Sequence, residues 1–405
     1  MDFFLTLLIA FVLAFVFGKV AHSFGLARVV GYIAAGLLLT HPFFSLSLFD
    51  TAVKESFESI ANFGLLLLFF FSGLEVSIPA FKRNLRESLF ISALNTALPF
   101  IIVFWFTTWM GFSFTAAVVI GLIMSVSAQA VIVDVLDELG LLKDRLGQLI
   151  VNAGSVDDIV ELLLLTLTLG LIGFSSSTAP FQFLFNLVIF VALVVSAKLW
   201  IVPSFFSVFS TKKSPESLFG ASLAVALLMG VLSNMLGLGV VIGAVISGII
   251  VRNLLSIEQR KPWEEHKISN DIHLIGFGFF IPLFFVWVGY NTDLGVTLSN
   301  PFLIVLLFLI SFFFGIFGTW LGVRLNKGSH LEGLLVALAM STKGDVELAV
   351  GLIALKAGFI SNEIFSAVVV IALISSILPP ILFKHFIQKY LDKKNPFYSM
   401  PNATA

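Results

Sequence analysis

Long apolar segments alternate with short polar or glycine- and proline-containing breaks along the whole chain. The apolar segments have roughly the 20-residue length of a helix that crosses a bilayer, and no polar block longer than a loop separates them. The sequence therefore predicts an all-α, polytopic membrane protein. The predicted transmembrane helices number about thirteen and lie near residues 3–20, 28–44, 58–77, 87–109, 113–137, 147–173, 181–203, 217–234, 237–252, 270–290, 301–323, 331–354 and 363–385.

The composition supports this prediction, because 59% of the residues are hydrophobic and 12% are charged, whereas soluble domains carry about 25% charged residues. The chain has no cysteine, which excludes disulfides, thiol catalysis and cysteine-based metal sites. We expect no nucleic-acid partner and no cofactor. The first apolar run lacks a basic n-region and is expected to be a retained helix, not a signal peptide.

Basic residues predict the orientation of the helices. Of the 23 Lys and Arg residues, only Lys54 and Lys356 fall on one side of the thirteen-helix arrangement, Lys343 lies inside a span, and all the others fall on the opposite side. Because basic loops stay in the cytoplasm, we expect an outside N-terminus and a cytoplasmic C-terminus. The expected location is the cell membrane.

Thirteen spans divide into six, one and six, and a six-span half that follows an odd linker is inserted upside down. Such inverted repeats are typical of secondary transporters. The fifth span of each half is interrupted by polar residues, "MSVSAQAV" at 124–131 and "MSTKGDVELA" at 340–349. Small residues can serve close helix packing, but that does not account for a span that also holds Lys343, Asp345 and Glu347. Matching broken spans predict a substrate site.

The sixth span, "LIVNAGSVDDIVELLLL" at 149–165, places three carboxylates in an apolar run. Asp158 falls near the middle of the hydrocarbon layer, where a charge costs at least ~2.5–3.5 kcal/mol, so we expect an ion path or a proton relay there. Asp157 lies about 100° to its side. Four polar residues recur every three positions and are expected to share one broad, inward-facing side of the helix: Asn152, Ser155, Asp158 and Glu161.

Two adjacent buried carboxylates cannot both ionise easily unless a cation accompanies them. When protonated, such a site is neutral; when deprotonated, it offers the hard oxygen ligands that suit a bare alkali cation. Proton and cation therefore compete for one site at Asp157 and Asp158. Competition at a site that opens to alternate sides of a membrane is antiport.

Other charged residues leave alternatives open. Glu161 extends the polar cavity or pairs with a basic residue elsewhere. Lys343 and Glu347 are four residues apart and could pair on one helix face, and Lys343 either ties the halves of the broken helix together or takes part in charge movement. Three acids near the cytoplasmic end of the fifth span are expected to form a solvated helix end or the rim of a gate: Asp134, Asp137 and Glu138.

At these residues the chain resembles the cation/proton antiporters of the Kef and NapA type, which belong to the sodium/proton exchanger superfamily and share an NhaA- and NapA-like fold. The resemblance covers nearly the whole chain. Five motifs carry it in order: "GLARVVGYIAAGLLL" (25–39), "LLLLFFFSGLEVSI" (65–78), "VSAQAVIVDVLDELGLLKDRLGQLIVNAGSVDDIVELLL" (126–164), "IPLFFVWVGYNTDL" (281–294) and "KGDVELAVGLIAL" (343–355).

The resemblance implies a core domain in which the two broken helices cross beside the aspartates. The core would move against a scaffold by an elevator-like displacement, and the scaffold would form a homodimer interface. The implied organisation is scaffold and dimerisation helices at 1–80 and 217–290, core helices at 84–174 and 300–387, a linker helix at 181–203 and a short cytoplasmic tail at 388–405.

The same resemblance implies roles for single residues. Asp158 would be the obligatory carrier of cation and proton, with Asp157 and Ser127 as further ion ligands. Lys343 and Asp345 match the family's Arg and Glu and would support the broken helix. From their positions in the two polar spans, Glu347, Glu161 and Asn152 are also expected to support the core around the ion.

The chain departs from the family pattern at three positions. Gly315 stands where members that move net charge often carry a lysine, which leaves the stoichiometry open unless Lys343 compensates. Glu161 replaces a residue that is usually apolar or small, and Ala27 stands at a common proline. The short tail predicts no fused regulatory domain, which favours a stand-alone NapA-like antiporter over a Kef-like potassium efflux system.

Other functions fit the sequence less well. An intramembrane aspartyl protease needs Tyr-Asp and Gly-x-Gly-Asp motifs, but "TKGD" (342–345) lacks the first glycine and no Tyr-Asp pair occurs. A sodium-coupled solute symporter needs a pocket for an organic solute, and a channel needs polar residues along a continuous pore. The sequence therefore predicts an antiporter in the lipid bilayer that exchanges protons for Na⁺, with K⁺ and Li⁺ as the alternatives.

Overall fold

The computed structural model describes residues 3–75, 85–128, 130–142, 144–173, 180–209, 215–257, 271–295 and 301–394, and the regular elements within these ranges are all helices. Two π-helical turns, Ala197–Ile201 and Gly276–Phe280, come directly before α10 and α13. The α-helices are α1 Phe3–Ser23, α2 Arg28–Leu39, α3 Pro42–Leu48, α4 Thr51–Glu75, α5 Leu85–Trp109, α6 Phe114–Ser125, α7 Ala130–Glu138, α8 Arg145–Gly173, α9 Pro180–Ser196, α10 Val202–Phe209, α11 Pro215–Met235, α12 Val240–Ile257, α13 Ile281–Tyr290, α14 Pro301–Leu325, α15 His330–Met340, α16 Asp345–Lys356 and α17 Asn362–Lys394.

The helices agree with the hydropathy pattern. Among the described residues, 8 helices are long and apolar enough to cross a membrane, and four shorter apolar helices accompany them. Each predicted span overlaps one helix or two consecutive helices. Large apolar side chains such as Trp105, Trp109 and Phe114 are exposed, as contact with lipid requires. An all-helical membrane protein is confirmed, while the total of thirteen crossings and the inverted repeat stay predictions.

The chain divides into two compact units, the first of which comprises residues 1–21, 31–77 and 162–291. In this unit α4 packs against α12 and α13, and α11 packs against α12. Glycines let α4 and α12 approach closely, because a Cβ added at Gly73 or Gly248 would overlap the carbonyl oxygen of Val245 or Phe70. The centre of the unit is filled by fully buried aromatic side chains: Phe57, Phe69, Phe70, Phe284 and Phe285.

Helix α4 has an aspartate directly before its first turn. The Asp50 carboxylate accepts a hydrogen bond from the Val53 N–H at 2.9 Å, which satisfies one of the unpaired donors at a helix start. This hydrogen bond lowers the pKa of the exposed Asp50 carboxyl from its ordinary value. The sequence therefore fixes the start of the helix locally.

The second unit comprises residues 22–30, 78–161 and 292–405. Helix α14 packs against α5 and α15, and α17 packs against α15 and α16. Two predicted spans of this unit are interrupted, between α6 and α7 and between α15 and α16, so the predicted breaks at 124–131 and 340–349 are confirmed. Apolar side chains fill the space beside these breaks, among them Leu136, Leu146, Ile150, Leu335 and Phe383.

Candidate functional site

The two interrupted helices are joined at their breaks. The Ala128 N–H donates to the Thr342 carbonyl at 2.7 Å, and the Thr342 hydroxyl donates back to the Ala128 carbonyl. Lys343 follows Thr342, and its carbonyl accepts a hydrogen bond from the Ser376 hydroxyl of α17 at 2.7 Å. The non-helical backbone is thus held in the interior of the second unit by partners other than water, as a membrane protein requires.

A lysine lies on the end of the first broken helix. The Lys343 ammonium donates to the carbonyls of Met124 and Val126, at 2.8 Å each, and the Ser311 hydroxyl also donates to Met124, at 2.6 Å. The last carbonyls of a helix lack partners within it and carry a partial negative charge. Lys343 therefore places its positive charge where the interrupted helix α6 needs one.

A glutamate lies on the other side of the same break. The Glu161 Oε1 atom accepts the Ser127 N–H at 2.7 Å, just before α7 begins, where a helix start favours a negative charge. Glu161 is buried, and no basic side chain of the described part of the chain forms an ion pair with it. Glu161 thus joins the polar cluster through a backbone hydrogen bond, and it also interacts electrostatically with the basic Lys343.

Asp157 occupies the centre of this cluster. Its side chain is 0% exposed, and its carboxylate accepts four hydrogen bonds. An ionised carboxylate only accepts, so this set of donors fits its charged form and fixes its orientation. The donors are the hydroxyls of Ser92 at 2.7 Å and Thr96 at 2.9 Å to Oδ1, and the Asn95 amide at 2.8 Å and the Ser127 hydroxyl at 2.7 Å to Oδ2.

The next residue, Asp158, has the opposite environment. Its side chain is exposed, and its charge acts on the buried Glu161 carboxylate. The site therefore combines a fixed, buried carboxylate with an accessible one on consecutive residues. The two carboxylates therefore differ in burial and in their electrostatic environment.

The prediction of one inward-facing polar side on the sixth span is wrong in detail. The buried carboxylates are Asp157 and Glu161, which are four residues apart and share a face of α8. Asn152 and Ser155 are half-buried, and Asp158 is exposed. A spacing of three residues did not identify the buried face, because Asp157 finds its donors on α5 and at the α6–α7 break.

The expected pair of Lys343 and Glu347 on one helix face is also wrong. Lys343 lies in the break before α16, so the two residues are not helical neighbours, and the ammonium bonds to α6 instead. Glu347 is fully buried, and neither of its carboxylate oxygens has a hydrogen-bond partner among the described residues. Lys343 and Glu347 still interact electrostatically. Asp345 is half-buried and begins α16.

The acids at the end of the fifth span lie away from this cluster as far as the structure describes them. Asp137 is exposed on α7, whereas the side chains of Asp134 and Glu138 lie outside the described part of the structure. An exposed Asp137 agrees with the predicted solvated helix end. Parts of the predicted organisation, including residues 76–84 and the end of the tail at 395–405, also lie outside the described ranges.

Sequence reasoning missed the residues that hold Asp157 in place. Ser92, Asn95 and Thr96 are spaced at i, i+3 and i+4 in an otherwise apolar helix, which is the signature of one polar helix face. Thr319 of α14 extends the network, since its hydroxyl donates to Asn95 Oδ1 at 2.8 Å. A search for polar faces in the neighbouring spans would have found α5, but not its pairing with Asp157.

Comparisons with known proteins identify the family of the chain. The chain matches the family model of the sodium/hydrogen exchanger, transmembrane, over residues 7–388. It is 28% identical over 382 residues to a Na⁺/H⁺ antiporter of Enterococcus hirae, an alignment that covers 91% of this chain and 94% of that protein. It is 24% identical to the Na⁺/H⁺-K⁺ antiporter GerN of Bacillus cereus, over 82% of this chain and 84% of that protein.

The fold has a counterpart among solved structures. The sodium proton antiporter MjNhaP1 from Methanocaldococcus jannaschii superposes with a TM-score of 0.71, covering 97% of this chain and 98% of that one at 18% sequence identity. At this identity the likeness establishes a shared fold and nothing finer.

Proposed function

Because the chain belongs to the sodium/hydrogen exchanger family, we propose that it is a secondary transporter, not an enzyme, that exchanges a monovalent cation for protons across the membrane. The observation that carries this proposal is the pair of consecutive aspartates, one fixed by four donors and one exposed, at the junction of two broken helices. The transported ions are substrates, and the exchange involves no cofactor.

Asp158 is the carrier in this proposal. Its accessible carboxylate holds either a proton or a partly dehydrated cation, and the two cannot bind at once because they use the same oxygen atoms. Asp157 and the Ser127 oxygen are the further ligands that we propose. The buried, hydrogen-bonded Asp157 supplies negative charge that offsets the dehydration of the cation.

Na⁺ is the cation that we propose. The relatives reported above are named as exchangers of Na⁺, or of Na⁺ and K⁺, and hard oxygen ligands suit any small alkali cation. Selectivity among Na⁺, K⁺ and Li⁺ is therefore a quantity to measure, and the transport experiment below includes all three.

Alternating access by an elevator-like displacement is the proposed mechanism. Asp157, Asp158 and both broken helices belong to the second unit, whose boundary along the chain falls inside α8, after Glu161. In the proposed assignment the core comprises 84–174 and 300–387, so that it carries the whole of α8 with the site, and the scaffold comprises 1–80 and 217–290. The homodimer, the outside N-terminus and the cytoplasmic C-terminus stay predictions from the sequence.

The test is proton movement in sealed proteoliposomes after addition of NaCl, KCl or LiCl. We expect a cation to drive protons out of acid-loaded vesicles that carry the wild-type protein. Asp158→Asn removes the ionisable carboxylate at nearly constant size, so we expect it to lower the cation-driven flux at least about 100-fold, a loss that corresponds to roughly 2.7 kcal/mol.

Glu55→Gln is the matched control, because Glu55 is an exposed carboxylate on α4 in the other unit. It should leave the flux unchanged. Full cation-driven flux in Asp158→Asn would exclude Asp158 as the carrier. If no monovalent cation moves protons at any accessible pH, the exchange proposal fails and sodium-coupled uptake of a solute becomes the function to test.

A further inference from the structure

A small internal cavity lies beside the Lys343 ammonium in the second unit. Its volume, measured as the space open to the centre of a water-sized sphere, is about 20 Å³. This is room for one water molecule or one ion of similar size. Gly315 lines the cavity, and a Cβ at this position would meet nothing closer than the Ser341 Oγ atom at 4.0 Å. The cavity therefore occupies space that a side chain on α14 would otherwise fill.

Four of the residues that line this cavity are serines whose hydroxyl oxygens have spare acceptor capacity. Ser125 and Ser341 donate their protons to carbonyls of their own helices, and Ser311 donates to Met124, so each oxygen keeps lone pairs for another partner. Ser375 is 1% exposed, and its Oγ atom has no hydrogen-bond partner among the described residues. A buried hydroxyl without a partner is costly, so the cavity has a wall with unused hydrogen-bonding capacity beside Lys343.

Two prolines remove helical hydrogen bonds at residues that line the same cavity. Pro99 in α5 and Pro379 in α17 have no N–H, so neither can bond to the carbonyl four residues earlier in its helix. Those carbonyls belong to Asn95 and Ser375, and both residues line the cavity. Two helices thus each lack one helical hydrogen bond at a residue that borders one small space.

The Lys343 side chain also lines this cavity. It makes two hydrogen bonds, to Met124 and Val126, although an ammonium can donate three. Three buried carboxylates act on its charge, those of Glu347, Glu161 and Asp157. The partial negative charge at the end of α6 acts in the same direction. All of these features favour a cation at this position.

We propose that this α6-end pocket is a binding site for one small monovalent cation, and that the Lys343 ammonium occupies it as a cation tethered to the chain. The pocket is formed by the carbonyls of Met124 and Val126 and the hydroxyls of Ser125, Ser311, Ser341 and Ser375. It is separate from the proposed exchange at Asp158. Truncation of Lys343 opens the pocket to a dissolved cation, which takes the place of the ammonium.

Thermal unfolding in detergent tests this proposal. All proteins carry Asp158→Asn, so that the proposed transport site does not respond to added cations. In N-methylglucamine chloride, whose cation is too large for the cavity, we expect Lys343→Ala to lower the apparent Tm by about 5 °C or more, because it leaves buried negative charge without its partner. Replacing the N-methylglucamine with ammonium or potassium at equal ionic strength should recover at least about half of that loss.

Two comparison proteins make the result specific. The parent Asp158→Asn protein and its Lys19→Ala derivative, which loses an exposed lysine on α1, should respond to ammonium and potassium by no more than about 1 °C. Lys343→Met keeps an apolar side chain in the pocket and should stay destabilised in every salt. Equal responses in all proteins, or no recovery in Lys343→Ala, would overturn the proposal.

Recovery of the protein gives a second measurement where Lys343→Ala does not survive purification in N-methylglucamine. Monodisperse protein from ammonium-containing buffer alone would support a cation site. If Lys343→Ala gives no monodisperse protein in either buffer while Lys343→Met is recovered in both, a cation site is excluded. Because unfolding and recovery are read without transport, the result is independent of whether the exchange proposal stands.

Discussion

At the scale of residues, consecutive aspartates have opposite environments. Asp157 is 0% exposed and accepts four hydrogen bonds, whereas Asp158 is exposed. Two identical side chains therefore differ in their possible functions. Burial and hydrogen-bond donors hold the Asp157 carboxylate in place, whereas the Asp158 carboxylate is accessible. The transport experiment tests the accessible Asp158. The contribution of the buried Asp157 to protein stability can be measured separately.

We expect Ser92→Ala to destabilise the second unit. The substitution removes one of the four donors to Asp157, and hydrogen bonds to a charged group contribute about 1.5–3 kcal/mol each. Thermal unfolding in detergent at neutral pH should show a lower apparent Tm than for the wild type.

Ser222→Ala is the control for this prediction. Ser222 is also a fully buried serine, but its hydroxyl donates at 2.8 Å to the Leu218 carbonyl of its own helix. Its loss should cost less than about 1 kcal/mol. An equal loss of stability in the two variants would mean that Asp157 gains nothing particular from Ser92.

The candidate site could be located from the sequence, but its internal contacts could not. Carboxylates in an apolar run indicated Asp157 and Asp158. Polar residues in a broken span indicated Lys343. Their partners lie far along the chain, as in the bond from Lys343 to Met124, which spans 219 residues. No local pattern specifies such a partner, because it depends on how the helices cross.

At the scale of elements, interruptions and glycines determine how the helices pack. Each interrupted helix in the second unit exposes a start and an end, and these are satisfied by Lys343, Glu161 and Thr342. In the first unit, Gly73 and Gly248 allow α4 and α12 to touch through their backbones. Without a hydrophobic force between helices in lipid, such close contact is a main source of association energy.

We expect Gly248→Ala to destabilise the first unit by about 1–3 kcal/mol, since the added methyl would push against the Phe70 carbonyl and force the helices apart. The apparent Tm in detergent measures this effect.

Gly220→Ala, in α11, is the matched substitution, because nothing lies within 4 Å of a Cβ at that position. There the greater helix propensity of alanine should leave stability unchanged or raise it by up to about 1 kcal/mol. A Gly248→Ala protein as stable as Gly220→Ala would contradict the close contact.

Helix positions followed from hydropathy with good accuracy, and both interrupted spans followed from their polar residues. The π-helical turns at Ala197–Ile201 and Gly276–Phe280 were not predicted. An extra residue in a helical turn changes neither length nor hydropathy enough to be seen in a sequence. Such turns reflect the fit between neighbouring helices.

At the scale of the whole molecule, each unit is built from three separate segments of the chain. Asp157, Asp158 and the two interrupted helices all fall in the second unit. This grouping suits the proposed elevator-like displacement, in which the ion and its ligands cross the membrane together.

Alternating access predicts that a position next to Asp158 meets water from both sides of the membrane. The chain contains no cysteine, so Ser155→Cys, one helical turn from Asp158, is a single-site probe for a membrane-impermeant thiol reagent. We expect labelling from either side in proteoliposomes, and slower labelling in the presence of the transported cation.

Ser56→Cys, at an exposed position near the start of α4, serves as the fixed reference and should react from one side only. Labelling of Ser155→Cys from a single side under all ionic conditions would contradict alternating access at this site.

The pairing of Ala128 with Thr342 also bears on the order in which the protein is made. Asp157 has all of its donors within 65 residues, so its pocket can form once α8 has entered the membrane. The cap on α6 comes from residue 343 of 405, and closing so long a loop is slow. During synthesis the bare end of α6 must therefore wait in the membrane for the last fifth of the chain. A ribosome that stalls before this point leaves an unfinished protein in which this helix end lacks the Lys343 ammonium.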